Sequence, residues 1–437
     1  MKKILTLSFI CILMVGSTYA GGFQTGTQNA RAMGMGHAFV GMATDASAIY
    51  FNPAGLTNLK GTNILFGSTF IMPKVKFTGP TPATVTPTTP VAATTETVAR
   101  TFTPINFYAS HSMDNGLSFG IGVFNPYGLG SEWPSTWVGK SLAVKTELRT
   151  FYINPTVAYK VTESLSIAAG FNYIISNVQF YQVIDIPTIP LAPGVNLPGA
   201  ANVGVNLEGN GKAAYTWNVG FLLKPTNTLS LGAAYRHSAE ITFNGDLVFS
   251  GLNAKPTGFP VGHSDLFPAG PGVAKLTMPW DLRFGASWNA SDNLTLNFDL
   301  QYVGWSSYQE LAADFEKNTA AWADLKSIKS WGNTVTFRFG GEYTMNDWAF
   351  RAGFVRDGSP SPSKYMDPSL PGADRSEFTF GVGYQITKTI RVDAAYQYIS
   401  FDKIVTDSAV RLPTGQYFNG TYTNSTNLFG LNFGFNF

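Results

Sequence analysis

Charge is what this sequence has least of. Only 13% of its 437 residues are Asp, Glu, Lys or Arg, against about 25% in an ordinary soluble domain. A formal charge of +2 leaves no basic face for a nucleic acid. Apart from the extreme N-terminus, no apolar run approaches the roughly 18 residues of a membrane helix, which excludes a helical bundle. The few charges come with 14% aromatic residues, which excludes disorder. There is one cysteine, Cys11, so no disulfide holds the fold. The four histidines, His37, His111, His237 and His263, stand in unrelated stretches without metal-ligand spacing. Only His111 and His237 fall on expected strands, and neither sits in a phospholipase-like Ser/His motif. No catalytic residue, metal ligand or cofactor is assigned, and an enzyme is set aside. What is abundant is Gly at 45, Phe at 34 and Tyr at 19. That is the material of a large, curved, all-β protein with apolar surface to hide.

Residues 1–20 read as a secretory signal peptide. Lys2 and Lys3 form its basic start, Ile4 to Val15 its apolar run, and Thr18-Tyr19-Ala20 its cleavage site. Ile10 precedes Cys11 where a lipoprotein signal has a small residue. Without the leader the chain holds 27 basic and 27 acidic residues and no cysteine.

After residue 60 the hydrophobic period is two. Phe429, Leu431, Phe433, Phe435 and Phe437 alternate with Gly430, Asn432, Gly434 and Asn436. Leu294 to Tyr302, Phe378 to Ile386 and Phe151 to Tyr159 follow the same pattern. Fourteen such segments start near residues 62, 102, 115, 147, 164, 208, 228, 275, 292, 331, 347, 375, 389 and 425. Most supply the roughly 9–11 residues with which a tilted strand crosses a bilayer. Six short connections, such as 113–116 and 290–293, alternate with seven long ones: 74–101, 127–146, 182–207, 245–274, 309–330, 357–374 and 403–424. This segregation predicts a transmembrane antiparallel β-barrel of about 14 strands over 61–437, integral to a bacterial outer membrane. Closure leaves no unpaired edge inside lipid. The terminal Phe437 fits the aromatic that barrel-assembly machinery reads, so that machinery and outer-membrane lipids are expected partners.

Residues 21–60 break the period. Gln28 to Val40 is rich in Ala, Met and Gly and could form a short helix. The segment is too apolar to stay solvated as a periplasmic tail, so it is expected to fold into the lumen as a plug. Gly34-Met35-Gly36 follows no strand and has no acidic partner in a βαβ unit, so it is not a dinucleotide site.

Within this segment lie Gly22-Phe23-Gln24, Gly36-His37-Ala38-Phe39-Val40-Gly41, Asp45-Ala46-Ser47-Ala48 and Phe51-Asn52-Pro53-Ala54-Gly55-Leu56. Together they resemble the hatch of the FadL family of outer-membrane transporters for long-chain fatty acids and aromatic hydrocarbons, whose best-known signature is Asn-Pro-Ala. Tyr127-Gly128-Leu129, Trp137-Val138-Gly139, Glu147-Leu148-Arg149-Thr150, Ile153-Asn154-Pro155 and Gly304-Trp305-Ser306-Ser307-Tyr308 extend the resemblance in order, as do Arg351-Ala352-Gly353, Ser359-Pro360 and Asp374-Arg375. It covers nearly the whole mature chain. The resemblance implies a 14-strand barrel plugged by a hatch containing Asn52, Pro53 and Ala54. Cargo would be caught between extracellular loops, passed to a site beside the hatch, and released sideways at a kinked third strand.

Several residues fit those steps. The third strand carries Gly120, Gly122 and Phe124 on its inward parity and ends at Asn125-Pro126. Gly in a strand marks a bulge or a close approach, and Pro removes a donor; ordinary barrel curvature is the plain alternative. The loops 182–207 and 245–274 are unusually apolar, with Leu191, Val195, Leu197, Phe249, Phe259 and Phe267 as candidate walls of a capture groove. The alternative is that the two loops pack on each other. Inward-facing Arg283, Arg338, Glu342, Arg351, Arg391, Asp393 and Asp299 must largely pair. A surplus arginine, Arg338 or Arg351, could receive a carboxylate head group. The function read from these features is passive passage of a hydrophobic compound, chiefly a long-chain fatty acid. The alternative is an adhesin or phage receptor with a permanently closed plug.

Overall fold

The computed structural model describes residues 22–79 and 94–437. The expected leader lies outside the described residues. The chain forms a closed antiparallel barrel of 14 strands. These are β1 (Gly61–Thr78), β2 (Ile105–Ser112), β3 (Leu117–Phe124, resuming at Gly128–Glu132), β4 (Lys145–Lys160) and β5 (Leu165–Ile186). Next come β6 (Ala200–Gly211 and Ala214–Leu223), β7 (Leu229–Arg236 and Ala239–Ser250) and β8 (Gly270–Met278 and Asp281–Asn289). β9 (Leu294–Val303, extended by Glu310–Phe315) and β10 (Thr334–Met345) lead into β11 (Trp348–Asp357). β12 (Arg375–Gln385), β13 (Ile390–Phe401) and β14 (Thr421–Asn436) complete the wall. β1 pairs with β14 from Asn63 opposite Asn436 to Thr78 opposite Thr421, which closes the barrel.

Alternation sorts each strand into an outer and an inner face. Phe429 and Leu431 stand exposed on the outer face of β14, while Leu428 and Asn432 on either side of them are buried. Phe298, Phe339, Phe350 and Phe380 are likewise exposed. A continuous apolar outer surface is stable only against lipid.

Two expectations change. β5 is 22 residues long, and β6 and β7 extend with it, so much of 182–207 and 245–274 is wall rather than loop. Ile184 pairs with Val203 and Leu247 with Leu207 there, and these apolar pairs carry the strand ladders beyond the expected loop boundaries. The helix expected within 28–40 is one turn, α1 (Ala30–Met33). Gly36 and His37 take positive φ immediately after it, and the chain turns away.

Candidate functional site

Residues 22–59 fill the lumen. α1, a second single turn α2 (Ala48–Phe51) and a 3-10 helix (Pro53–Asn58) are enclosed by the wall. Met33, Met35, Phe39, Ala48, Ile49, Ala54 and Leu56 are fully buried. The wall admits the plug so closely because it presents glycine. A Cβ on Gly340 would sit 2.1 Å from the Met35 carbonyl oxygen, and one on Gly232 would sit 2.2 Å from that of Val40. Neither position has room for a side chain.

Polar anchors fix the plug. Asn52, fully buried, donates to the carbonyls of Val40 at 3.0 Å and Phe221 at 2.9 Å, and its Oδ1 accepts from Ala54 N–H. It therefore ties two parts of the hatch to β6 and starts the 3-10 helix that Pro53 opens. Asp299 on β9 accepts from the backbone N–H groups of Phe39 at 2.7 Å and Val40 at 2.9 Å. Glu342 on β10 receives Arg31 of the hatch in a two-pronged bond, Nε at 2.9 Å and Nη2 at 2.7 Å. Arg351 also reaches Glu342, at 2.6 Å, and Asp393, at 2.8 Å. His37 bonds Gln397 at 3.0 Å. Burial, aided by the charge of Arg338, pushes the His37 imidazole down to about 3, so it is neutral in the docked hatch. Tyr50 lies between Arg236 and Arg283, whose guanidinium carbons are 4.9 and 4.5 Å from its ring centre.

The wall is interrupted between β2 and β3. Regular pairing runs from Ser112 opposite Ser118 to Phe107 opposite Val123 and then stops. On its other side, β3 has Phe124 opposite Tyr152 but Gly128 opposite Arg149, so four residues span three on β4. This is a bulge. Its carbonyls turn inward to the hatch: Pro126 accepts from Thr25 N–H at 2.9 Å, and Asn125 accepts from the Gln28 side chain at 2.7 Å. The Asn125 side chain bridges the break, accepting from Ile105 N–H at 3.1 Å and donating to the Thr150 carbonyl at 2.6 Å. Above the break the ladder resumes, with Val98 N–H on the Glu132 carbonyl at 2.7 Å. Phe102 leans into it; a Cβ on Gly130 would meet the Phe102 ring at 2.1 Å.

A cavity of about 580 Å³ lies behind this break. Inside, it meets the hatch at Phe23, Gln24 and His37 and the wall at Gln301 and Arg338. At its other end it reaches Ile105 and Phe151, which are exposed on the apolar outer surface. Its volume falls within the roughly 300–1,000 Å³ of small-molecule sites. Arg338 lines it with a single hydrogen bond, to Gln301 at 2.6 Å, and no ion pair among the described residues. A smaller apolar pocket of about 50 Å³ sits toward the long-loop end, behind Phe23 and Leu129, lined by Leu148, Val178, Phe243 and Trp331. The buried pair Lys329 and Asp367 stands at its edge. Burial opposes the charge on Asp367, but the Lys329 ammonium outweighs it and holds the carboxyl below its usual range.

The sequence-derived residues fall into place unevenly. Phe124 is buried inward, stacked between Tyr108 and Tyr152, and Pro126 lies in the bulge itself. Gly120 and Gly122 do not leave open room. They belong to the regular ladder below the break, and Cβ atoms there would meet Ile49 at 2.8 and 3.0 Å. Arg351 is no free cation, because Glu342 and Asp393 engage it; Arg338 is the one left unpaired. The residues expected to wall a capture groove divide between buried and accessible. Phe249 and Phe267 pack edge-to-face at 5.9 Å with Trp322 beside them, Leu197 is fully buried, and Leu191, Val195 and Phe259 line neither cavity. Ile186 and Val203 of the first segment share a buried cluster with Phe267 of the second, while Val195 stays exposed. Sequence reading missed Asn125, Thr25 and Gln28 as the seam of the break. The Asn-Pro pair at a strand end was the available signal.

A family model described as "Outer membrane protein transport protein (OMPP1/FadL/TodX)" matches residues 11–437. The long-chain fatty acid transport protein of Escherichia coli (strain K12) is 24% identical over 466 residues, covering 100% of this chain and 99% of that protein. Outer membrane protein P1 of Haemophilus influenzae is 24% identical over 469 residues, with 99% and 98% covered. Among solved structures, a Pseudomonas aeruginosa FadL homologue superposes with a TM-score of 0.79 at 20% identity, covering 95% of this chain and 100% of that one. The Ralstonia pickettii toluene transporter TbuX gives a TM-score of 0.65 at 18% identity, with 94% and 98% covered.

Proposed function

The chain belongs to the OMPP1/FadL/TodX family of outer-membrane transport proteins, and from that premise we propose that it carries long-chain fatty acids inward and releases them sideways through its wall. It is an integral outer-membrane barrel of a family that moves hydrophobic compounds. The observation that carries the finer reading is the continuity of the 580 Å³ cavity from Arg338 to the lipid-facing Ile105 and Phe151. One end offers an unpaired guanidinium for a carboxylate. The other end is apolar and meets the membrane at the one place where β2 and β3 part. The smaller pocket behind Leu129 is an upstream apolar holding place, and Phe23, which lines both, stands between them. No energy source is needed. A fatty acid moves down its gradient while the hatch, pinned by Asn52, Asp299 and Glu342, blocks water-soluble molecules.

Two measurements test this. Thr103 is exposed and lines the break. Thr103→Cys is the only thiol in the mature chain, and capping it with a bulky methanethiosulfonate should leave oleate binding to whole cells intact while stopping its accumulation. Normal accumulation would sink the sideways route. Arg338→Gln should weaken oleate binding at least tenfold and leave binding of a neutral hydrocarbon of equal length unchanged. Equal losses for both would mean that the cavity does not read a carboxylate.

A further inference from the structure

The outer surface around the break carries an excess of positive charge. On β1 the outward column runs Phe66, Phe70 and Met72, then turns to Lys74 and Lys76. On β4 the outward column runs Val157, Ile153 and Phe151, then turns to Arg149, Glu147 and Lys145. Neighbouring walls make the same transition without charge. β5 passes from Ile175 to Asn177 and Gln179, and β14 from Phe429 to Asn427 and Ser425. The cations therefore gather on the two strands that flank β2 and β3, at the level where the apolar band ends.

Each side is one negative charge short. Among the described residues, Lys74, at 3.0 Å, and Lys76, at 3.7 Å, share Glu96 alone. Arg100, Lys145 and Arg149 share Glu132 and Glu147. Residues 80–93, which join the Lys76 side to Glu96, contain no acid that could make up the difference. The side chains of Lys74 and Arg149 remain 62% and 58% exposed, so both are open to a ligand. Lys74, Arg100 and Arg149 also line the outer end of the cavity, directly above apolar Ile71, Phe102 and Ile105. A cationic rim over an apolar slot matches a lipid whose head carries phosphate and whose acyl chain lies against the slot.

We propose that this rim is a docking site for a phosphate-bearing lipid of the outer leaflet, seated on Lys74 and Arg149 with an acyl chain across the break. The inference is independent of which cargo passes through the cavity. In the resting protein such a lipid occludes the gap from the membrane side, as the hatch occludes the lumen.

The test uses the full-length mature barrel in detergent and native mass spectrometry. Three probes are titrated: lipid A bearing both phosphates, the same lipid with its phosphates removed, and palmitate. Each surface cation contributes about fivefold to the affinity for an anionic head group. The variant Lys74→Ser with Arg149→Ser should therefore bind the phosphorylated lipid about 25-fold more weakly than wild type. Dephosphorylated lipid A should bind wild type no better than it binds the variant. Should the double variant lose its heat-modifiable fold, the single variants Lys74→Ser and Arg149→Ser serve in its place, each with about a fivefold loss expected. Equal affinity of wild type and variant for the phosphorylated lipid would overturn the proposal. So would undiminished binding of the dephosphorylated lipid, or palmitate competing as well as the phosphorylated lipid, which would make the rim a carboxylate site.

Discussion

Replacing Glu342 with Gln tests what holds the hatch in the lumen. Glu342 is 4% exposed and accepts three guanidinium bonds, two from Arg31 and one from Arg351. The connected charges balance, with Arg31, Arg351 and Arg391 against Glu342, Asp393 and Asp45. Glutamine keeps the shape, offers one acceptor oxygen in place of two, and leaves one buried positive charge uncompensated. Breaking a buried pair in this way costs about 3–5 kcal/mol. That loss falls on the contact between hatch and wall, because the strand ladders on both sides of Glu342 are untouched. At about 1.4 kcal/mol per tenfold, the undocked hatch should become at least 100-fold more populated. The readout is a single thiol, Ala48→Cys, fully buried in α2 and with no other cysteine in residues 21–437. Its rate of labelling by a small polar maleimide follows the open population, and in Glu342→Gln it should rise by that factor while the barrel keeps its heat-modifiable mobility. A change of less than threefold would refute the reasoning and move the hatch anchor elsewhere.

Other outcomes follow from single contacts. Phe102→Ala removes the ring that leans into the break beside Gly130, and release of a preloaded fluorescent fatty acid into lipid vesicles should accelerate severalfold in a stopped-flow trace. Gly340→Val places a branched side chain against the Met35 carbonyl. The barrel should still form, with the hatch excluded and open to limited proteolysis, whereas a protected hatch would show that the wall yields. The docked hatch should also loosen in acid through His37. Its pKa falls from 6.5 to about 3 on docking, so the free hatch binds more protons between those values and docking weakens as pH drops through that range. The labelling rate of Ala48→Cys should therefore climb below pH 6.5, more steeply than in His37→Asn, and identical pH profiles would remove His37 from the account.

The barrel was readable because lipid imposes a strict alternation. Phe429, Leu431 and Phe433 on one parity of β14 could mean little else once the short and long connections were counted. The hatch was readable through its apolarity and its Asn-Pro-Ala. The site was harder. Gly120 and Gly122 looked like a weak stretch of wall, yet a glycine can mark a gap or a surface pressed close, and only the position of Ile49 decides between them. Arg338 and Arg351 have the same parity and the same chemistry. What separates them is the company across the lumen, Gln301 for one and Glu342 with Asp393 for the other. The apolar stretches near Phe249 and Phe267 misled because hydrophobicity says that a surface will be covered, not by what; here each covers the other and Trp322.

Closure of the wall through β1 and β14 constrains the order of assembly. The ladder joins Asn63 to Asn436, so the seam cannot be sealed until the last residues of the chain are present. The hatch immediately precedes β1 and is enclosed once that seam forms. Its inner contacts reach β6 through Asn52, β9 through Asp299, β10 through Glu342 and β14 through Asn432. These partners are spread around the circumference, so the plug cannot complete its contacts before the wall is built. The final zippering of first strand to last completes the wall on which those contacts depend. Contacts of such large sequence separation form slowly. This order predicts that the hatch stays open to proteolysis until the seam between first strand and last has closed.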